Sequence, residues 1–301
     1  MTELTDLQRR MAAAPCEIRY DEPMSRHTSL RIGGGAEVMA FPKTRDELAG
    51  ILRLCAEERA AVSILGAGTN VLAPDGGIRG VVICLKDALS GMELLESGLL
   101  KVMAGVTMTR AAVFAANQGL SGLEFAHGIP GTVGGGVYMN AGAYGGEICQ
   151  VCKEAELMDR SGNIRTVSGE EMAFSYRHSI VEETGEIVIA AVFRLQPGDP
   201  EQIKAKMKEL QNKRSASQPL DLPSAGSAFK RPVGGYAAAL IDQAGLKGFT
   251  VGGAAISTKH AGFAVNIGGA TAEDVRSLLQ QVSDKVYDHS GIRLEPEIRI
   301  W

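Results

Sequence analysis

Three side chains in this sequence could carry proton and charge chemistry. Ser227 lies in SAGSAFK, among small residues and three positions before Lys230. A nucleophilic serine needs a base within reach and an oxyanion hole, often announced by a G-x-S-x-G turn, and AGSAFK does not match that pattern. The histidines nearest in sequence, His178 and His260, cannot be paired with it from spacing alone. Proton donor, phosphate clamp and simple turn residue all remain open for Ser227, since serine is common in turns. Arg177 follows Tyr176 in FSYRHS, between acidic residues and a strand-like run; it is either a charge-holding group or half of a surface ion pair that contributes little. Glu297 stands in the apolar terminal run LEPEIRI. Burial would raise its pKa unless it were paired, making it an acid or an ion-pair member.

Two glycine-rich stretches could hold what these groups act on. In LGAGTN, Gly66 and Gly68 remove side chains after a strand, so that backbone N–H groups, with Thr69 and Asn70, can converge on an anion such as a pyrophosphate. The spacing is not G-x-G-x-x-G and no amphipathic helix opens directly after it, which argues against a Rossmann fingerprint. The second stretch, GIPGTVGGGVYMNAGAYGGE, spans residues 128–147. Its glycines alternate with small or β-branched residues and a rigid proline, giving a chain thin enough to run along a planar cofactor. Cys149 and Cys152 form a lone CxxC with no second pair or histidines to complete a zinc site, and no metal is expected.

The elements that must position these groups alternate in type. Thr44 and Glu47 form a capping box for a helix over residues 44–59, with Leu48, Ile51, Leu52 and Cys55 on one face. Short apolar runs at residues 62–65 and 81–85 predict buried strands, and residues 108–118 predict a helix closed by Gly119. Strand signals return at residues 153–159 and 186–195. QPGDPEQ then marks a boundary, with Asp199 and Pro200 starting a helix that carries Ile203, Met207 and Leu210. A helix around residues 236–244, a long one from Thr271 and a strand-like IRLEPEIRIW complete the chain.

Bulk properties narrow the classes. At 301 residues the chain is long enough for roughly two domains. A net charge of -4 argues against a nucleic-acid or membrane-surface binder, so an anionic ligand must meet local cations, of which Lys213, Arg214, Lys230 and Arg231 are the available set. No apolar run reaches the length of a membrane span, the first 20 residues lack the apolar core of a signal peptide, and five scattered cysteines suit reduced thiols. A cytoplasmic protein is expected.

Taken in order, RHTSLRIGGGAE, LGAGTNVL, GLEFAHGIPGTVGGGVYMNAGAYGGE, SYRHS, SAGSAFK, AGLKGFTVGGAAIS, KHAGFAVN and LEPEIRI resemble the UDP-N-acetylenolpyruvoylglucosamine reductase (MurB) family over nearly the whole chain. The resemblance implies an α+β flavoprotein: a two-lobed FAD-binding domain of the vanillyl-alcohol-oxidase type plus a C-terminal α+β substrate-binding domain. By that likeness, residues 1–85, joined by 293–301, form an N-terminal lobe, residues 86–198 a central lobe, and residues 199–292 the substrate domain. It implies that NADPH reduces non-covalent FAD, and that the flavin passes hydride to UDP-N-acetylglucosamine enolpyruvate to give UDP-N-acetylmuramate for peptidoglycan. The enolate left on the substrate needs a positive group and a proton donor. By motif, Arg177 and Glu297 stabilise it and Ser227 donates the proton. Tyr176, Lys230 and Arg214 would bind substrate. Gly66, Gly68, Thr69, Asn70, Gly128, Ile129, Pro130, Gly131, Gly134, Asn140, Gly142 and Ala143 would hold the flavin. The short run after SYRHS resembles the compact type II form, which lacks the extra loop carrying a substrate-covering tyrosine. Arg231 and Gly262 stand where the family usually has asparagine. A monomer is expected. Another flavin oxidase or dehydrogenase of the same superfamily, and a non-catalytic nucleotide-sugar binder, are the alternatives.

Overall fold

The computed structural model describes residues 4–301, which gather into two compact units. The first comprises the chain up to Tyr20, Glu37–Ala67 and Arg79–Lys213; the second comprises Asp21–Ala36, Gly68–Ile78 and Arg214–Trp301.

The first unit has two hydrophobic cores. One lies under helix Arg45–Glu57, whose start is fixed by the Thr44 hydroxyl accepting the Glu47 N–H at 3.1 Å. The expected capping box is half made: the Glu47 carboxylate accepts the Lys43 N–H at 2.7 Å instead of that of Thr44. Leu48, Ile51, Leu52 and Cys55 are buried together with Val81 and Ile83. Strand Val62–Leu65 runs parallel to Ile78–Cys84, Val62 opposite Val81, in a four-stranded sheet with Gly35–Phe41 and Glu17–Pro23. The other core backs an antiparallel five-stranded sheet in the order Ile164–Ser168, Cys152–Met158, Ile187–Arg194, Leu99–Met103, Met92–Leu94.

The central strand of that sheet explains its own sequence. Ile187–Arg194 reads IVIAAVFR, and its first seven residues are buried. Ile187 and Ile189 enter the first core, whereas Ala191 and Phe193 enter the second. A strand packed on both faces has no solvent face on which polar residues could alternate.

The second unit packs helices Ala237–Gln243 and Ala272–Ser290 on a sheet ordered Ser224–Ser227, Phe263–Asn266, Ala254–Ile256, Thr250–Val251. Helix Ala272–Ser290 is doubly capped. Thr271 and Asp274 form a capping box, and Asp75, from the loop following LGAGTN, accepts the Ala272 N–H at 2.8 Å and the Glu273 N–H at 3.2 Å. Of the strand-like IRLEPEIRIW only Arg299–Ile300 forms a strand, parallel to Val71–Leu72. Pro296 has no N–H to give a ladder, and it makes just an isolated bridge to Phe229.

Helix Pro200–Ser217 buries Ile203 and Met207 in the core of the first unit, and the two units divide within it, after Lys213. The helix does start as read, with Asp199 accepting the Glu201 N–H at 3.0 Å.

Candidate active site

Ser227 owes its exposure to a bulge. Ser224 pairs with Val265 and Ser227 with Phe263, so three residue steps on one strand face two on the other. The extra residue is absorbed at Gly226, whose φ is +81°, a backbone setting that suits glycine. Ala225 and Ala228 turn inward and Ser227 turns out to solvent. Among the described residues no hydrogen-bond partner takes its hydroxyl, so the proton is available to an incoming group.

The same stretch is laced to Glu297. The Glu297 N–H donates to Ala228 O at 2.9 Å and the Lys230 N–H to Glu295 O at 2.8 Å. On the other side, the Asn70 carboxamide donates to Glu297 O at 3.2 Å, and the Arg299 N–H donates to Asn70 O at 3.0 Å. Ser227, Glu297 and Asn70 thus sit on three neighbouring strands of backbone, and Glu297 is half-buried. Asn70 was read as a cofactor residue; the structure also gives it this structural bond.

Gly262 has a physical reason here. A Cβ would stand 3.0 Å from His260 Cε1 and 3.1 Å from Ala238 Cβ, so a larger residue would require the His260 ring or Ala238 to give by a few tenths of an ångström. The Gly262 N–H donates to His260 Nδ1 at 3.1 Å, and Gly262 O accepts the Ala228 N–H at 2.8 Å next to Ser227.

In the first unit Arg177 occupies the tip of a two-residue reversal closed by Ser175 and His178. Its φ is +56°, which costs a non-glycine residue about 1–2 kcal/mol. Its guanidinium carbon lies 5.1 Å from the centre of the Tyr176 ring, and that ring is 46% exposed. The connection onward is short: helix Val181–Thr184 ends on Gly185 at φ +67°, and the central strand begins at Ile187.

The cations differ in their engagement. Lys230 is paired with Glu295, both partly exposed. Lys213 is paired with Glu209 at 2.6 Å. Arg214 is 7% exposed, with Nη1 donating to Gln218 at 3.1 Å. Arg231 stacks 4.6 Å over the Tyr236 ring.

The two glycine stretches meet where the expected flavin would need a thin wall. A Cβ on Gly66 would lie 2.6 Å from Thr132 Oγ1. Thr132 caps helix Val133–Tyr138 through the Gly135 N–H at 3.3 Å. The sequence reading did not anticipate a helix here. Its glycines have separate jobs: Gly134 would clash with Ala104 and Gly136 with Met108, whereas Gly135 is exposed and a Cβ there would meet only its own cap at 3.6 Å. Gly128 and Gly131 both hold positive φ, at +85° and +134°. Gly128 donates to Thr109 at 3.3 Å, and Ile129 and Pro130 continue the run between them. Beside them His127 Nδ1 is buried without a hydrogen-bond partner among the described residues, a polar atom left over for a ligand. Bare backbone, positive-φ glycines and an orphaned imidazole nitrogen fit a planar, phosphate-bearing group such as FAD. Gly142 and Ala143 form a short hairpin with Gly146 and Glu147, and Asn140, 2% exposed, has its carboxamide bonded to Ser175 O, Glu147 and Cys149 N.

Burial pushes Cys152 up to about 12 and Cys16 and Cys55 up to about 11, so all three stay protonated near neutrality. Sequence reading did not single out Thr132, although a threonine ahead of a small-residue run is a cap signal.

Comparison with known proteins agrees with this geometry. The family described as FAD binding domain matches residues 36–168, and the one described as UDP-N-acetylenolpyruvoylglucosamine reductase, C-terminal domain, matches residues 218–301. A UDP-N-acetylenolpyruvoylglucosamine reductase of Streptococcus thermophilus is 45% identical over 94% of this chain and 93% of its own length. One of Streptococcus pneumoniae is 43% identical, with 94% of each covered. The crystal structure of the reductase from Thermus caldophilus is similar with a TM-score of 0.80 at 35% identity, covering 95% of this chain and 98% of that one. A Physcomitrella patens BBE-like 1 structure, at 15% identity and a TM-score of 0.50 over 64% of this chain, shares the fold alone.

Proposed function

Because the chain belongs to the UDP-N-acetylenolpyruvoylglucosamine reductase family, it is an FAD-dependent, NADPH-driven reductase of UDP-N-acetylglucosamine enolpyruvate, and we propose that Arg177, Ser227 and Glu297 carry the substrate half of that reaction. FAD, when bound, supplies the hydride that NADPH has given it. Everything else falls to side chains. Hydride arrival at the enolpyruvyl carbon leaves negative charge on the neighbouring carbon and its carboxylate; the Arg177 guanidinium holds that charge, and Glu297 acts as an acid. The Ser227 hydroxyl gives its proton to the carbanion.

A serine hydroxyl is a weak acid, so a strongly basic carbanion and a cation near the departing alkoxide are both required. Lys230 is three residues away. Its pairing with Glu295 is partly exposed, and such pairs contribute only about 0–1 kcal/mol. A substrate diphosphate or the developing alkoxide can therefore take the ammonium from Glu295 at little cost. Arg214 and Tyr176 complete the substrate set. Thin backbone at Gly66, Gly128, Gly131, Gly134, Gly135, Gly142 and Ala143, with Gly68, Thr69 and Asn70 of the LGAGTN loop, holds the flavin. Binding of the remote uridine diphosphate fixes the enolpyruvyl group for attack.

The observation that carries this reading is the Gly226 bulge, which turns a hydroxyl with no partner among the described residues outward next to a segment hydrogen-bonded to Glu297. In Ser227→Ala, rapid-mixing absorbance should show NADPH bleaching the flavin at the normal rate. Reoxidation by UDP-N-acetylglucosamine enolpyruvate should slow by roughly 10²- to 10⁴-fold. Normal reoxidation, or lost flavin reduction, would refute the proton-donor role. Rapid reoxidation of the native enzyme by oxygen, with indifference to the enolpyruvyl substrate, would favour an oxidase.

A further inference from the structure

We propose that Ser179 and Asn140 are positioning residues for Arg177, clamping its strained turn from both sides onto the end of the glycine helix. The proposal rests on the role given to Arg177 above. The turn that carries Arg177 is weakly closed on its own: the Ser175 N–H donates to His178 O at 3.2 Å and the His178 N–H to Ser175 O at 3.3 Å. Its tip is exposed at Tyr176, and Arg177 sits at φ +56°. A reversal needed only to turn the chain would take glycine or asparagine there. An arginine held in that conformation persists only if its surroundings over-determine it.

Two buried anchors do so. On the entering side, Asn140 Nδ2 donates to Ser175 O at 3.0 Å. That carboxamide cannot swing, because Nδ2 also donates to Glu147 Oε2 at 3.2 Å and Oδ1 accepts the Cys149 N–H at 2.9 Å. Asn140 is 2% exposed and itself holds φ +41°, which asparagine tolerates better than most residues. On the leaving side, Ser179 is fully buried, and its hydroxyl donates to Tyr138 O at 2.8 Å. Both anchors therefore tie to residues 138–140, directly after helix Val133–Tyr138. The turn's backbone is thereby referenced to the glycine segment that would hold the flavin. Neither Ser179 nor Asn140 touches the reacting atoms in this scheme; both act through Arg177.

A double-mutant cycle on the flavin-loaded enzyme tests this, read in separate half-reactions. Ser179→Ala removes one hydroxyl and leaves Tyr138 O without its donor. The expected result is a fall of roughly 10- to 100-fold in flavin reoxidation by the enolpyruvyl substrate, with flavin content and the NADPH half-reaction within about twofold of native. In the Arg177→Ala background the same substitution should subtract nothing further. Ser179→Cys, which keeps a side chain in the buried position but exchanges the hydroxyl for a weak thiol donor to Tyr138 O, should repeat the pattern in milder form. It carries the test if Ser179→Ala fails to fold. Parallel losses in both half-reactions would make the contacts merely structural. An Arg177→Ala enzyme that is crippled, but in which Ser179→Ala still subtracts its full factor, overturns the clamp alone. An Arg177→Ala enzyme with undiminished reoxidation overturns the assignment of Arg177, and the clamp with it.

Discussion

At the scale of single residues, the proposed chemistry depends on side chains whose neighbours prepare them. Ser227 is turned out by a glycine bulge, and Arg177 is held in a conformation most arginines avoid. Arg177→Lys keeps the charge but loses the planar fork that can grip a carboxylate through two parallel hydrogen bonds. Substrate-dependent flavin reoxidation should fall about 10²-fold, with NADPH-driven reduction preserved; an equal loss in both would place Arg177 on the nicotinamide side instead. The motifs around these residues were legible because each is short and local. Their roles were not: SAGSAFK alone left Ser227 open between turn, clamp and donor, since the bulge becomes visible only once Ser224 and Ser227 are registered against Val265 and Phe263.

At the scale of elements, helix Val133–Tyr138 shows why three consecutive glycines can belong to a helix that propensity would disfavour. Gly134 packs where a Cβ would stand 2.9 Å from Ala104 Cβ, and Ala104 has no flexible end to move away. Gly134→Ala should therefore lower stability by about 1–3 kcal/mol through overpacking, despite alanine's better helix propensity, and should weaken flavin retention. Denaturant unfolding and the absorbance ratio of the purified protein check both; a more stable variant with full flavin would mean that the helix is not pressed against Ala104. The longer helices and the strand runs read from sequence at 62–65, 153–159 and 186–195 were legible to within one or two residues, whereas strands such as Gly35–Phe41 and Leu99–Met103 were not read. Val62–Leu65 and the starts at Thr44, Pro200 and Thr271 are instances of the agreement. This glycine helix was not legible, because its cap and its packing partner come from Thr132 and from residues 104–108, outside any local hydrophobic pattern.

At the scale of the whole molecule, the pH response includes a contribution from His260. Burial holds its pKa below the ordinary 6.5, and its Nδ1 accepts the Gly262 N–H while its ring meets Phe263 edge-on at 5.0 Å. The unfolded chain therefore takes up a proton at a pH where the folded chain does not. This contribution is fully present above about pH 6.5 and is lost as pH falls through the depressed folded value. Thermal unfolding between pH 7.5 and 5.5 should show the native enzyme losing Tm more steeply than His260→Gln, whose own Tm can be lower throughout. Parallel slopes would remove His260 from the acid response. Among the described residues no helix is long and apolar enough to cross a membrane.

By itself the sequence determined the longer helices, the flavin-binding class and the family, because caps, periodicity and an ordered series of motifs are written in neighbouring residues. Tertiary structure alone decided how the chain divides, since the burial of Ile203 and Met207 depends on a sheet that lies before them in the chain. It also decided which contacts support the reactive groups. Asn140 meets Ser175 across 35 positions, Ser179 meets Tyr138 across 41, and Asn70 meets Glu297 across 227. Hydrogen bonds of that separation leave no local pattern, because their energy depends on the folded distance between donor and acceptor and not on what lies beside either in the chain.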